Sequence, residues 1–115
     1  MDSLEALKIA MGEFAKARDW DQFHSPKNLS MALAGETAEL LDCFRWLTEE
    51  ASYQLDEPQL QAVKEELADV LLFTVRLADK LNIDLMAAAE QKIDKNQHRY
   101  PVDKVKGSAK KYNQY

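Results

Sequence analysis

An all-α fold is predicted by three features of the sequence. Gly and Pro number only three each in 115 residues, too few for the turns of an all-β chain. Apolar residues recur every three or four positions over long stretches. Those stretches open on Ser or Asp, twice followed by a proline that suits a first helical turn. The expected architecture is a four-helix bundle with a short basic C-terminal tail, as a single domain over residues 1–115.

The first helix is expected from Ser3, as N-cap, to about Arg18, with Leu4, Leu7, Met11 and Phe14 at helical spacing. Asp19–Pro26 (DWDQFHSP) reads as a loop rich in aromatic and polar groups. Ser25 then caps a second helix, with Pro26 at its first position, expected to run to about Glu50. After a short connection over 51–56, Asp56 caps a third helix that carries Pro58 in its first turn and reaches about Leu81. Asn82 suits a helix end, and Asp84 caps a fourth helix to about His98. Pro101 closes the helical region. The rest of the tail (101–115) is polar and basic, expected to order only against a partner or ligand.

Composition narrows the function classes. Hydrophobic residues make up 46% and charged residues 30%, as in an ordinary globular domain. The single cysteine, Cys43, excludes an intramolecular disulfide and a Cys-based zinc site, and fits a reducing cytoplasm. No apolar run resembles a signal peptide or is long enough to span a membrane, so no membrane partner is expected. The net charge of −5 is uneven. Residues 92–115 hold seven Lys/Arg against Asp94 and Asp103, whereas residues 1–91 are strongly acidic. An acidic body argues against a nucleic-acid polymer as partner. It suits a small polyanion that arrives with a metal cation.

Four carboxylates stand out. On the second helix Leu29, Leu33, Leu40, Cys43 and Leu47 make an apolar stripe, with Glu36 in its middle and Glu39 one turn on. On the third, Val63, Val70, Phe73 and Leu77 make a stripe, with Glu66 in its middle and Asp69 one turn on. The third helix is apolar almost all round, so it is expected to be central and buried. A bland reading sets the acids at the stripe edges, reaching solvent. The sharper one turns all four toward the core, where ionised carboxylates need compensation. No Lys or Arg on the buried face matches them, and a divalent cation supplies it.

Ligand type selects the metal. Neither His24 nor His98 lies three residues after a Glu, so the Glu-x-x-His pairs of a di-iron bundle are missing. An all-oxygen site favours Mg²⁺ or Mn²⁺. Magnesium usually shares its shell with water and substrate phosphates, which makes metal-assisted hydrolysis of a phosphate ester or anhydride the leading reaction class.

The pairs in GETAEL (35–40) and EELADVL (65–71), with RDWDQFHSPKNL (18–29), FRW (44–46), KIDKNQHRYP (92–101) and GSAKKY (107–112), extend the pattern over nearly the whole chain. This ordered set resembles the MazG-like nucleotide pyrophosphohydrolases of the all-α NTP pyrophosphatase superfamily, and within them the short, single-domain dCTP pyrophosphatase branch. The resemblance implies Mg²⁺-dependent cleavage of nucleoside triphosphates between the α and β phosphates, as house-cleaning of the nucleotide pool. It implies metal binding by Glu36, Glu39, Glu66 and Asp69, and assembly into helical dimers or tetramers with sites between subunits. One departure is Met11, where some members of the branch carry a His that approaches the substrate.

The rest of a nucleotide can be assigned to residues. Lys92, Asn96 and Arg99 share a face of the fourth helix and suit the β and γ phosphates, a role that the resemblance gives to a Lys/Asn/Arg set; a solvated basic face at a helix C-terminus is the competing reading. Lys110, Lys111 and Tyr112 could close over the phosphates as a lid, or form only a basic tail. Trp20, Trp46 and Phe73 are expected to wall the base and ribose, with Phe23 in the same aromatic loop and with Gln22 and His24 as polar contacts. For each aromatic taken alone, a core role is the commoner reading. Trp46, seven residues beyond Glu39, is expected on nearly the same face of the second helix, roughly 10 Å along its axis. Glu39, with Glu36, is the expected catalytic pair, Glu39 orienting or deprotonating the attacking water. Two rival readings stand: an oligomeric helical scaffold or partner-binding protein, and a hydrolase of another phosphoanhydride such as phosphoribosyl-ATP.

Overall fold

The computed structural model describes residues 3–109. Lys110, Lys111 and Tyr112 lie outside the described residues. Six α-helices are present among the described residues, with no strand: α1 (Leu4–Ala17), α2 (Pro26–Asp42), α3 (Glu49–Ser52), α4 (Glu57–Lys80), α5 (Leu85–Arg99) and α6 (Val102–Val105). A 3₁₀ turn (Asp21–Phe23) lies between α1 and α2. The four long helices are those the sequence predicts. No helix among the described residues is long and apolar enough to cross a membrane.

Their starts are set by side chains that satisfy the otherwise orphaned first amides. Ser3 accepts from Ala6 N, Ser25 from Asn28 N and Asp84 from Ala87 N. Asp56 and Gln59 form a reciprocal capping box, each side chain bonded to the other's backbone N–H at 2.9 Å. Two ends share a geometry. Asp19 (φ 55°) and Asn82 (φ 54°) take the left-handed conformation just past α1 and α4. The next amides, Trp20 and Ile83, reach back to the carbonyls of Ala15 and Ala78. This closes the carbonyl ends as glycine usually does, with a short polar residue in its place.

The chain divides into two compact units, one ending at Ile83 and one beginning at Asp84. In the first, α4 is central and packs on both α1 and α2. Ala15, Leu29, Val63, Val75 and Ala78 form its buried apolar core. In the second, α5 and α6 follow one another around Pro101, which sits at the N-cap of α6.

Four expectations need correction. The second helix stops at Asp42, not near Glu50. Its last turn tightens, with Cys43 N and Phe44 N bonding carbonyls only three residues back, and Thr48 adopts an extended conformation. The Thr48 hydroxyl then caps a new short helix, α3, through Ala51 N. The third helix is central but not buried all round, because α1 and α2 cover only part of it. Leu60, Leu67 and Leu71, on one face, remain open in the single chain. The buried face does hold a cation: Arg76, 4% exposed. Finally, part of the tail is already ordered, as α6.

Candidate functional site

The pairing of α2 with α4 brings the two acidic motifs together. Glu36, Glu39 and Glu66 each offer a carboxylate oxygen, and these oxygens lie within 4.8 Å of one another. Glu36 and Glu66 are half-buried, and Glu39 is exposed. One oxygen of Glu36 and one of Glu66 are shielded from solvent without any hydrogen-bond partner. Unsatisfied buried carboxylate oxygens are costly, and three such groups this close repel.

The electrostatic cost appears in the titration. Burial, then the negative charges of Glu39 and Asp69, push the Glu36 carboxyl up to about 7. The Glu66 carboxyl is also raised, first by burial and then by Glu39. Asp69 lies outside the tight three-acid group, yet its charge acts on both Glu36 and Glu66. Clustered hard oxygen donors with two orphaned atoms fit a divalent cation. Glu36, Glu39 and Glu66 are thus the group best placed to hold one, with Asp69 beside them.

The other predicted residues fall out differently. Trp46 does not share a helix face with Glu39, since α2 ends between them; it is 85% exposed, with the Arg45 guanidinium 5.1 Å from its ring centroid. Phe73 is half-buried on α4, one turn beyond Asp69. Trp20 and Phe23 are exposed on the loop, Trp20 meeting Phe14 edge-to-face at 5.7 Å. Gln22 donates to the Asp19 carbonyl and carboxylate, both at 3.0 Å. Lys92, Asn96 and Arg99 lie on α5 in the second unit. Cys43 sits at the end of α2, its thiol 3.6 Å from the Glu39 carbonyl.

Sequence reasoning missed one ionic network. Arg76 on α4 donates from Nε to His24 Nδ1 at 3.1 Å, from Nη1 to Asp79 at 3.3 Å and from Nη2 to Asp21. Lys80 Nζ also reaches Asp21, at 2.8 Å. Lys80 and Arg76 hold the Asp21 carboxyl below its ordinary range. Burial, then the Arg76 charge, lowers the imidazole of His24. The only local signal was an Arg set in an apolar stripe with Asp79 one turn on. Its partners on the loop lie more than 50 residues away in sequence.

Comparison with known proteins agrees with this geometry. The MazG-like family model matches residues 32–114, which include both acidic pairs. A rat protein named dCTP pyrophosphatase 1 is 45% identical over 112 residues, and the human protein of the same name is 43% identical over 112 residues. Both alignments cover 96% of this chain and 66% of the relative, so the chain spans a little under two thirds of their length. The crystal structure of a pyrophosphatase from Archaeoglobus fulgidus superposes with a TM-score of 0.79 at 36% identity, covering 84% of this chain and 91% of that one. With the acidic pairs converged on adjacent helices and the family model spanning both, this chain belongs to the MazG-like family.

Proposed function

We propose that this chain is a nucleoside triphosphate pyrophosphohydrolase, a single domain over residues 1–115, that cleaves dCTP or a related deoxynucleotide to the monophosphate and pyrophosphate. The reading is carried by one observation: three carboxylates from two helices converge within 4.8 Å, with two buried oxygens unsatisfied. The names and identities of the relatives support dCTP as the substrate to test first. An inert scaffold gives no reason for acids gathered at a helix seam.

Glu36, Glu39, Glu66 and Asp69 would hold the cation, which is Mg²⁺ in this reading, with Mn²⁺ as substitute. When bound, it supplies charge neutralisation and Lewis acidity toward the α phosphate. Glu39, the exposed acid, accepts a proton from the attacking water. Glu36 and Glu66, held by α2 and α4, fix the geometry. Attack at the α phosphorus breaks its bond to the bridging oxygen, and pyrophosphate leaves. Lys92, Asn96 and Arg99 are assigned the β and γ phosphates, supported by their common face on α5. Lys110, Lys111 and Tyr112 are assigned a covering role over them. Trp20, Phe23, Trp46 and Phe73 are assigned the base and ribose, with Gln22 and His24 as polar contacts. The open Leu60, Leu67 and Leu71 face supports a homodimer or homotetramer. The single cysteine supports a cytoplasmic setting.

The test is a panel of dNTPs, NTPs and phosphoribosyl-ATP with Mg²⁺, read by product chromatography with an EDTA control. Pyrophosphate and dCMP from dCTP, abolished by chelator, are the expected result. Turnover of none of the panel would restore the scaffold reading, and turnover of phosphoribosyl-ATP alone would move the enzyme to that substrate.

A further inference from the structure

The Arg76 network sits on the face of α4 that carries the acids. Asp69 and Arg76 are seven residues apart, so they point within about 20° of each other and about 10 Å apart along the axis. That offset matches the reach from an α phosphate to a base. The loop over residues 19–25 is tied down at three places. Gln22 closes it on Asp19, Asn28 Nδ2 donates to the Phe23 carbonyl at 3.0 Å, and Arg76 holds Asp21 and His24. Arg76 and Lys80 both join the loop to α4, Lys80 through Asp21 and Arg76 through Asp21 and His24. The guanidinium is buried, and its planar fork serves three acceptors at once, a task that lysine cannot copy.

The bond to His24 also has a chemical consequence. Arg76 Nε carries a hydrogen and has no lone pair, so Nδ1 of His24 must accept. In the neutral ring, the hydrogen then resides on Nε2. A protonated ring would set a second N–H against the guanidinium. The charged groups around the imidazole are Arg76, Asp79 and Lys80 from α4 and Asp21 from its own loop.

We infer that Arg76 is a positioning residue for the nucleotide: it fixes the aromatic loop on α4 and sets His24 in the Nε2–H form, making that nitrogen a donor for an acceptor on the base edge. This rests on the pyrophosphohydrolase reading above. The ligand class is a nucleobase with a ring carbonyl or unprotonated ring nitrogen, as cytosine has.

Two measurements test it. Long-range ¹H–¹⁵N spectra of histidine-labelled protein at neutral pH are expected to show His24 with Nε2 protonated and Nδ1 bare. In Arg76→Lys the preference is expected to give way to a mixture. His24→Asn keeps an acceptor in the place of Nδ1 and removes the outer donor. It is expected to raise KM for dCTP about 10-fold, the usual cost of one lost hydrogen bond, with kcat nearly unchanged. A wild-type His24 that is Nδ1-protonated or mixed, or an unchanged KM in His24→Asn, overturns this inference alone. A wild-type protein with the expected tautomer that hydrolyses no nucleotide overturns the pyrophosphohydrolase reading and the nucleotide role together.

Discussion

Glu36 on α2 and Glu66 on α4 meet at the helix seam, each with one buried oxygen lacking a partner, and burial is the first cause that raises both carboxyls. In the absence of a cation this contact opposes folding once both groups ionise. The same contact becomes favourable when a dication lies between them.

That balance predicts an unusual pH dependence. Glu36 rises from its ordinary 4.5 to about 7 in the folded chain, so the folded state binds more protons between those values. Its contribution to stability is full below pH 4.5 and is lost as pH rises through about 7. The metal-free protein is therefore expected to lose this contribution between pH 5 and 8, and Glu36→Gln to reduce the pH-dependent loss, leaving the part that Glu66 carries. Thermal melts of both proteins in EDTA across that range check it. His24 acts in the opposite sense. Its lowered imidazole adds stability above pH 6.5 that is lost as pH falls below it, so the comparison with Glu36→Gln isolates the acid.

Cation binding is expected to raise the Tm of the wild-type protein with no nucleotide present. At a cation concentration 100 times Kd, the gain is about 2.7 kcal/mol. Glu66→Gln is expected to shrink the Mg²⁺-induced shift sharply while raising the melting temperature in EDTA. Differential scanning calorimetry with and without Mg²⁺ checks both.

Glu39→Gln is expected to lower kcat by about 10²–10⁴, the range for loss of a general base. Loss of its charge relieves the repulsion on Glu36 and Glu66, so the melt in EDTA is expected to hold or rise, not fall. Wild-type turnover in this variant would remove Glu39 from the proton-transfer role.

Leu67 and Leu71 lie one turn apart on the open face of α4, 52% and 42% exposed in the single chain. A carboxylate there should not disturb the core formed with α1 and α2. Leu67→Asp is expected to convert a dimer or tetramer to monomer, as read by light scattering behind size exclusion. An unchanged mass would show that this face takes no part in assembly.

Removing residues 107–115 is expected to raise KM for dCTP several-fold. An unchanged KM would leave the C-terminal lysines without a role at the phosphates. Arg99→Gln in the full chain gives the companion measurement for α5.

The helix starts and the acidic pairs were readable from the sequence because each depends on short-range chemistry. Ser3, Ser25, Asp56 and Asp84 cap through amides three residues ahead, and Glu36 and Glu66 declare themselves by interrupting apolar stripes. The end of α2 was not readable. No glycine or proline lies between Glu36 and Glu57, so Thr48 looked like a helix interior and not the cap of α3. Arg76 was also opaque, because its loop partners Asp21 and His24 come near only after α1 and α4 have packed. The open leucines of α4 follow the same logic: periodicity reveals that a side is greasy, not which neighbour covers it.

The break at Asp42 separates two jobs that one continuous rod would have joined. Glu36 and Glu39 answer to the straight part of α2, while Trp46 rides on the turn before Thr48. Residues 43–48 can therefore change in length or composition and redirect a large exposed ring without moving the acids. On the pyrophosphohydrolase reading, a lineage could in this way reshape the surroundings of the base while the acidic cluster is inherited intact.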